Sequence, residues 1–150
     1  MTTNHAEVSG AQETLYARKL TIGASRERVF DAVATLDGPC HWWTTIVTGS
    51  AAPGGELRFG FAGLDEQMVM RVIASQRPSA VQWSCVEHTR NNEWTGTLLE
   101  FRLTPRGPSE SELEFRHSGL SAELVAKGWE HFLASLADYA ETGTGTPFGK

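Results

Sequence analysis

The chain has 150 residues, 40% of them hydrophobic and 21% charged, with a formal net charge of -5 at pH 7. That length suits one domain able to bury a core without staples. The acidic balance, with no Lys/Arg run, excludes nucleic acid and anionic membrane as main partners, because both select basic surfaces. Cys40 and Cys85 are too few for a disulfide framework. The polar N-terminus has no signal-peptide pattern, and no apolar run approaches a membrane span. The expectation is a cytoplasmic protein with free thiols.

Residues 1–11 read as a disordered tail and 12–150 as a single domain. The first strand is predicted over Glu13 to Ile22, where Leu15, Ala17, Leu20 and Ile22 alternate imperfectly. Ser25 stands as the N-cap of a helix over Arg26 to Leu36, whose Val29, Phe30, Val33 and Leu36 share a face. Asp37-Gly38-Pro39 breaks it, and a short second helix follows around Cys40 to Trp43. After the turn at Ala52-Pro53-Gly54-Gly55, a strand over Glu56 to Phe61 puts Leu57, Phe59 and Phe61 on one face. The next strand, Glu66 to Ser75, aligns Met68, Met70 and Val72; beyond Arg77-Pro78-Ser79, Val81, Trp83 and Cys85 alternate with polar neighbours. A polar loop at Thr89 to Glu93 leads into a long strand over Trp94 to Thr104, with Thr95, Thr97, Leu99, Phe101 and Leu103 together. Glu112 to His117 closes the sheet with Leu113, Phe115 and His117 inward. From Ser121 to Thr142 a helix carries the stripe Leu124, Val125, Trp129, Phe132, Leu133, Leu136 and Ala140, and Gly143-Thr144-Gly145 stops it.

Strands joined by short turns pair as an antiparallel meander, and the stripe of the last helix is the cover its apolar face needs. The predicted class is α+β. It is a helix-grip fold: a curved antiparallel sheet wrapped around a long C-terminal helix, with a short helix pair after the first strand.

Several motifs in order now carry a resemblance: Ala24-Ser25-Arg26-Glu27-Arg28-Val29-Phe30, then His41-Trp42-Trp43, then Trp94-x-Gly96-Thr97 leading to Phe101. Phe115-Arg116-His117-Ser118-Gly119-Leu120 follows, then Gly128-Trp129 and the ending Gly143-Thr144-Gly145-Thr146-Pro147-Phe148. Over roughly Leu15 to Phe148 the chain resembles the SRPBCC (START, birch-pollen-allergen-like) superfamily. Within it, the chain is similar to the family named for the C-terminal domain of the activator of the heat-shock-protein ATPase. It departs from the eukaryotic co-chaperones, which carry a large additional N-terminal domain. What the superfamily shares is a cavity, and the resemblance implies one here.

A long helix laid across a curved sheet leaves space beneath it. The candidate lining is Trp43, Phe59, Phe61, Met68, Met70, Trp83, Cys85, Thr97, Leu99, Phe101, Phe115, His117, Trp129 and Phe132. Ligand pockets are mostly apolar with a few fixed polar groups, and methionine repacks around variable ligands. The same side chains could instead fill a solid core. His117 is a candidate polar anchor or general acid/base, or a neutral, hydrogen-bonded core histidine. Thr95 and Thr97 could orient a ligand hydroxyl or satisfy local backbone. Gly128, inside a helix, costs about 1 kcal/mol relative to Ala, and close packing is the expected reason for it. Alternation places Cys85 and Glu87 inward and His88 outward, which splits the thiol–carboxylate–imidazole trio a hydrolase would use unless a bulge intervenes. Neither that trio nor Cys40-His41 has paired zinc-ligand spacing, so no metal is expected. Trp42 and Trp43 are adjacent and are expected to face opposite ways, Trp43 toward the cavity mouth.

The leading expectation is a binding module for a small hydrophobic or aromatic ligand whose polar end meets Thr97 or His117. A cyclase- or hydrolase-like enzyme with His117 as acid/base and a chaperone-accessory or stress-response role are the alternatives. No Gly-rich phosphate loop or Gly-x-Ser-x-Gly elbow occurs, no cofactor is expected, and no catalytic residue is assigned. A homodimer could use the exposed sheet face.

Overall fold

Alternating apolar residues bury one face of a strand, and strands in sequence pair with their neighbours. In a computed structural model, which describes residues 14–149, this produces β1 (Leu15–Ile22), α1 (Arg26–Ala34), β2 (Ile46–Gly49), β3 (Glu56–Gly60), β4 (Gln67–Gln76), β5 (Ala80–His88), β6 (Leu98–Gly107), β7 (Glu110–Ser118) and α2 (Ala122–Thr142). The strands form a single seven-stranded antiparallel sheet in the order β1-β7-β6-β5-β4-β3-β2. Only β1 leaves the meander, pairing with the last strand in a register that sets Tyr16 opposite His117. The sheet curves around α2, whose Val125, Trp129, Leu133, Leu136 and Ala140 are buried. This is the α+β helix-grip fold. The tail expected over residues 1–11 lies outside the described residues. Among the described residues, no helix is long and apolar enough to cross a membrane.

α1 starts where its cap is: the Ser25 hydroxyl accepts from the Arg28 N–H at 3.2 Å. It ends at Ala34, short of the expected Leu36, which is exposed. Thr35 leaves the helix, its hydroxyl donating to the Asp31 carbonyl at 2.7 Å and accepting from the Gly38 N–H at 2.9 Å. Gly38 runs so close beneath α1 that a Cβ there would collide with the Ala32 carbonyl oxygen.

The expected second helix is a single 3-10 turn over Gly38–His41. It corrects the expectation for the two tryptophans. The chain leaving this turn is not extended, so alternation does not apply, and Trp42 and Trp43 both enter the core. Their rings stack at 5.8 Å and 13°, and the Trp42 indole N–H donates to the Ala32 carbonyl at 2.7 Å.

The edge strand β2 was not expected. It is mostly exposed, so no apolar alternation announces it; pairing with β3, from Ile46 opposite Gly60 to Gly49 opposite Leu57, is what makes it a strand. In β5, Val69 pairs with Glu87 while Met70 pairs with Cys85, which leaves Val86 as an extra residue. This bulge reverses the expected alternation: Glu87 is exposed and His88 is buried. β6 begins at Leu98, because Asn92–Trp94 forms a 3-10 turn started by the Asn91 side chain, which accepts from the Glu93 N–H at 3.2 Å. Thr95 therefore lies off the strand and is exposed, contrary to expectation, while Thr97 is buried as expected. On α2, Leu124 of the expected stripe is exposed and Phe132 is half-buried. Gly143 ends the helix at φ 87°, its N–H donating to the Tyr139 carbonyl at 2.8 Å.

Candidate functional site: an apolar cleft above an aromatic core

Beneath α2 the sheet presents rings, and rings fill the space. Trp43 stacks parallel to Trp83 at 6.1 Å and lies 4.6 Å from Phe59 and 5.2 Å from Trp129. Phe115 lies 5.0 Å from Phe101 and 4.4 Å from Trp129. Of the candidate lining, Phe59, Met70, Trp83, Cys85, Thr97, Leu99, Phe101, Phe115 and His117 are all buried in this packed layer.

His117 holds the polar centre of the layer. Its Nδ1 accepts from the Trp129 indole N–H at 3.1 Å. Its Nε2 lies 2.9 Å from the Thr97 hydroxyl, whose own proton goes to the Trp94 carbonyl at 2.6 Å. The Thr97 oxygen is thus the acceptor and Nε2 carries the proton, which makes His117 a neutral imidazole with both nitrogens occupied. Burial pushes its pKa down from 6.5 to about 4. In this arrangement His117 and Thr97 are structural partners of each other. Cys85 is equally enclosed, and burial raises its thiol to about 11, far from the thiolate a nucleophile requires.

At the mouth of the grip a cleft of about 180 Å³ opens. Five of the candidate residues line it: Trp43, Phe61, Met68, Trp129 and Phe132. Six others meet them there: Glu66, His88, Trp94, Leu124, Val125 and Gly128. Of these, the sequence pattern puts Leu124 and Val125 in the core stripe, His88 outward and Gly128 at a close-packing position. At Gly128 the reverse holds, since a Cβ built there meets nothing within 4 Å. His88 is inward because of the Val86 bulge, which no sequence pattern marks. The pair of backbone N–H groups after β5, from Arg90 and Asn91, points at His88 Nδ1 at 3.4 and 3.1 Å. Burial lowers the His88 pKa, more than the neighbouring Glu66 charge raises it.

Two other places lie away from this cleft. A larger hollow of about 440 Å³ lies on the outer sheet face over β4, β5 and β6. It is an open trough of mixed polar and apolar lining, and its Gln82 amide already donates to Glu100 at 2.8 Å. At the 3-10 turn, Asp37 joins Cys40 and His41 with all ligand atoms within 4.8 Å of one another, the group among the described residues that could hold a metal. Asp37 is exposed and its carboxylate bonds His41 Nε2 at 2.9 Å.

Comparison with known proteins agrees with this architecture. No functionally curated protein matches the chain by sequence. The chain is similar to the Aha1 dimer of Colwellia psychrerythraea, with 27% identity, a TM-score of 0.75, and coverage of 87% of this chain and 98% of that one. An Hsp90 activator from Plasmodium falciparum shares the fold at 12% identity and a TM-score of 0.69, covering 82% of this chain and 93% of that one. CalU16 from Micromonospora echinospora shares it at 19% identity and a TM-score of 0.70, covering 88% and 69%. The family described as Activator of Hsp90 ATPase homolog 1-like protein matches residues 23–141, and to that family the chain belongs.

Proposed function

We propose that the cleft binds a small, predominantly apolar ligand between α2 and the ends of β4 and β5. Gly128 carries this reading. A mid-helix glycine costs about 1 kcal/mol relative to alanine. The site would accept a methyl group without contact, so packing does not demand glycine, whereas a ligand lying against the helix there would give it a use. The exposed Leu124 and half-buried Phe132 side chains that line it support the same reading. The volume is below the roughly 300 Å³ at which drug-sized pockets begin, so it suits a one- or two-ring compound or one end of a longer chain. The free thiols Cys40 and Cys85 suit a reducing, cytoplasmic setting. The enzyme alternative is left without its acid/base, because both His117 nitrogens are held by protein partners.

The test is a thermal-shift screen of hydrophobic metabolites on the wild type and on Gly128→Leu, which plugs the cleft. A ligand at a hundred times its Kd adds about 2.7 kcal/mol to stability. A dose-dependent rise in Tm is expected in the wild type and not in the variant; equal rises in both would place binding elsewhere and sink the proposal. A second reading is assembly as a homodimer, favoured by the 27% identical Aha1 dimer. Light scattering during size exclusion tests it, with a monomer mass at all concentrations as the negative result. Stimulation of an Hsp90 ATPase is the assay for the chaperone-accessory alternative.

A further inference from the structure

The cleft is apolar except at one end, where His88 and Glu66 face it. His88 is 6% exposed, fixed at the end of β5 with the Trp94 ring 5.2 Å from its own. Its Nδ1 accepts two backbone N–H groups, so that lone pair is used and the neutral ring carries its proton on Nε2. Nε2 lies 3.7 Å from Glu66 Oε2, too far for a hydrogen bond between them. The other Glu66 oxygen lies 3.7 Å from the Arg90 guanidinium, an exposed group that balances the carboxylate from the solvent side. A donor and an acceptor thus stand side by side at the polar end of an apolar cleft, and neither satisfies the other.

We propose that His88 and Glu66 together read a hydroxyl, and that the ligand is an uncharged phenol or alcohol. The proposal rests on the cleft reading above and names the ligand's polar group. A hydroxyl accepts from His88 Nε2–H and donates to Glu66, so one atom serves both. An ether or ketone accepts from His88 and leaves the carboxylate stripped of water without a donor, which is costly for a charged acceptor. A carboxylate ligand meets the Glu66 charge directly.

The experiment titrates the whole protein with 1-naphthol, 1-methoxynaphthalene and 1-naphthoate, followed by amide NMR shifts at Gly128 and the Trp94 indole. 1-Naphthol should bind about tenfold more tightly than its methyl ether, the range set by one hydrogen bond to a charged group. 1-Naphthoate should bind more weakly than either. In Glu66→Gln the naphthol preference should shrink toward parity and 1-naphthoate should gain. Equal binding of naphthol and ether in the wild type, with shifts at Gly128, would overturn the hydroxyl proposal and leave the cleft standing. So would a preference unchanged in Glu66→Gln. If none of the probes moved Gly128 or Trp94, the cleft reading would fall and this proposal with it.

Discussion

Replacing His117 by glutamine separates the hydrogen bonds of the core from the titration of its histidine. A glutamine amide keeps an acceptor for the Trp129 indole and a donor for Thr97, and it carries no proton equilibrium in the working range. In the wild type the folded-state pKa is held down to about 4 against 6.5. Above 6.5 both folded and unfolded chains hold a neutral ring, and stability is unaffected. As pH falls through 6.5 the unfolded chain gains a proton that the folded chain refuses, so stability is lost until about pH 4, where the folded state takes the proton as well. The full loss is about 3 kcal/mol, of which about 2 kcal/mol falls between pH 7 and pH 5, before most carboxylates titrate. Urea unfolding followed by tryptophan fluorescence at several pH values measures it. The variant should be less stable than wild type at pH 7, by about 1 kcal/mol for imperfect geometry, and should lose about 2 kcal/mol less on acidification. His88 is also depressed, but it is present in both proteins and cancels. Parallel pH profiles would refute the account of a sealed neutral imidazole.

Gly128→Ala should raise stability by about 1 kcal/mol in chemical denaturation, since the helix gains and no clash arises; destabilisation would mean the cleft is tighter than the open surroundings of Gly128. Tyr16→Phe should be neutral or stabilising by up to about 1 kcal/mol, because the buried Tyr16 hydroxyl has no hydrogen-bond partner among the described residues. A loss above that would reveal an ordered water there. Under native conditions a thiol reagent should modify Cys40, which is partly exposed, while Cys85 should react only in denaturant. Rapid native labelling of Cys85 would show the layer around it opening.

Strong periodicity made most of the architecture legible. The alternation of Leu57 with Phe59, of Met68 with Met70, and of Leu113 with Phe115 and His117 gives the inward faces the structure has, and the α2 stripe marked its partner. Local chemistry was equally clear at Ser25 and Gly143, where a side-chain oxygen and a left-handed residue set helix ends. These features depend on residues within a few positions of one another, and a sequence displays such relations directly.

The functional surface depended on relations a sequence does not display. β2 exists through its pairing with β3. The extra residue Val86 turns His88 inward and Glu87 outward, because one inserted residue inverts every later side chain on a two-residue repeat. The 3-10 turn after Asp37 sends both tryptophans into the core, where Trp43 packs on Phe59, Trp83 and Trp129. How far aromatic volume fills the space beneath a helix follows from the curvature of the sheet and the height of the helix. The amino-acid sequence alone therefore determined the helix-grip frame and the apolar character of its interior. Tertiary packing decided that most of the inward rings are buried against one another, and that a cleft opens beside Gly128, His88 and Glu66.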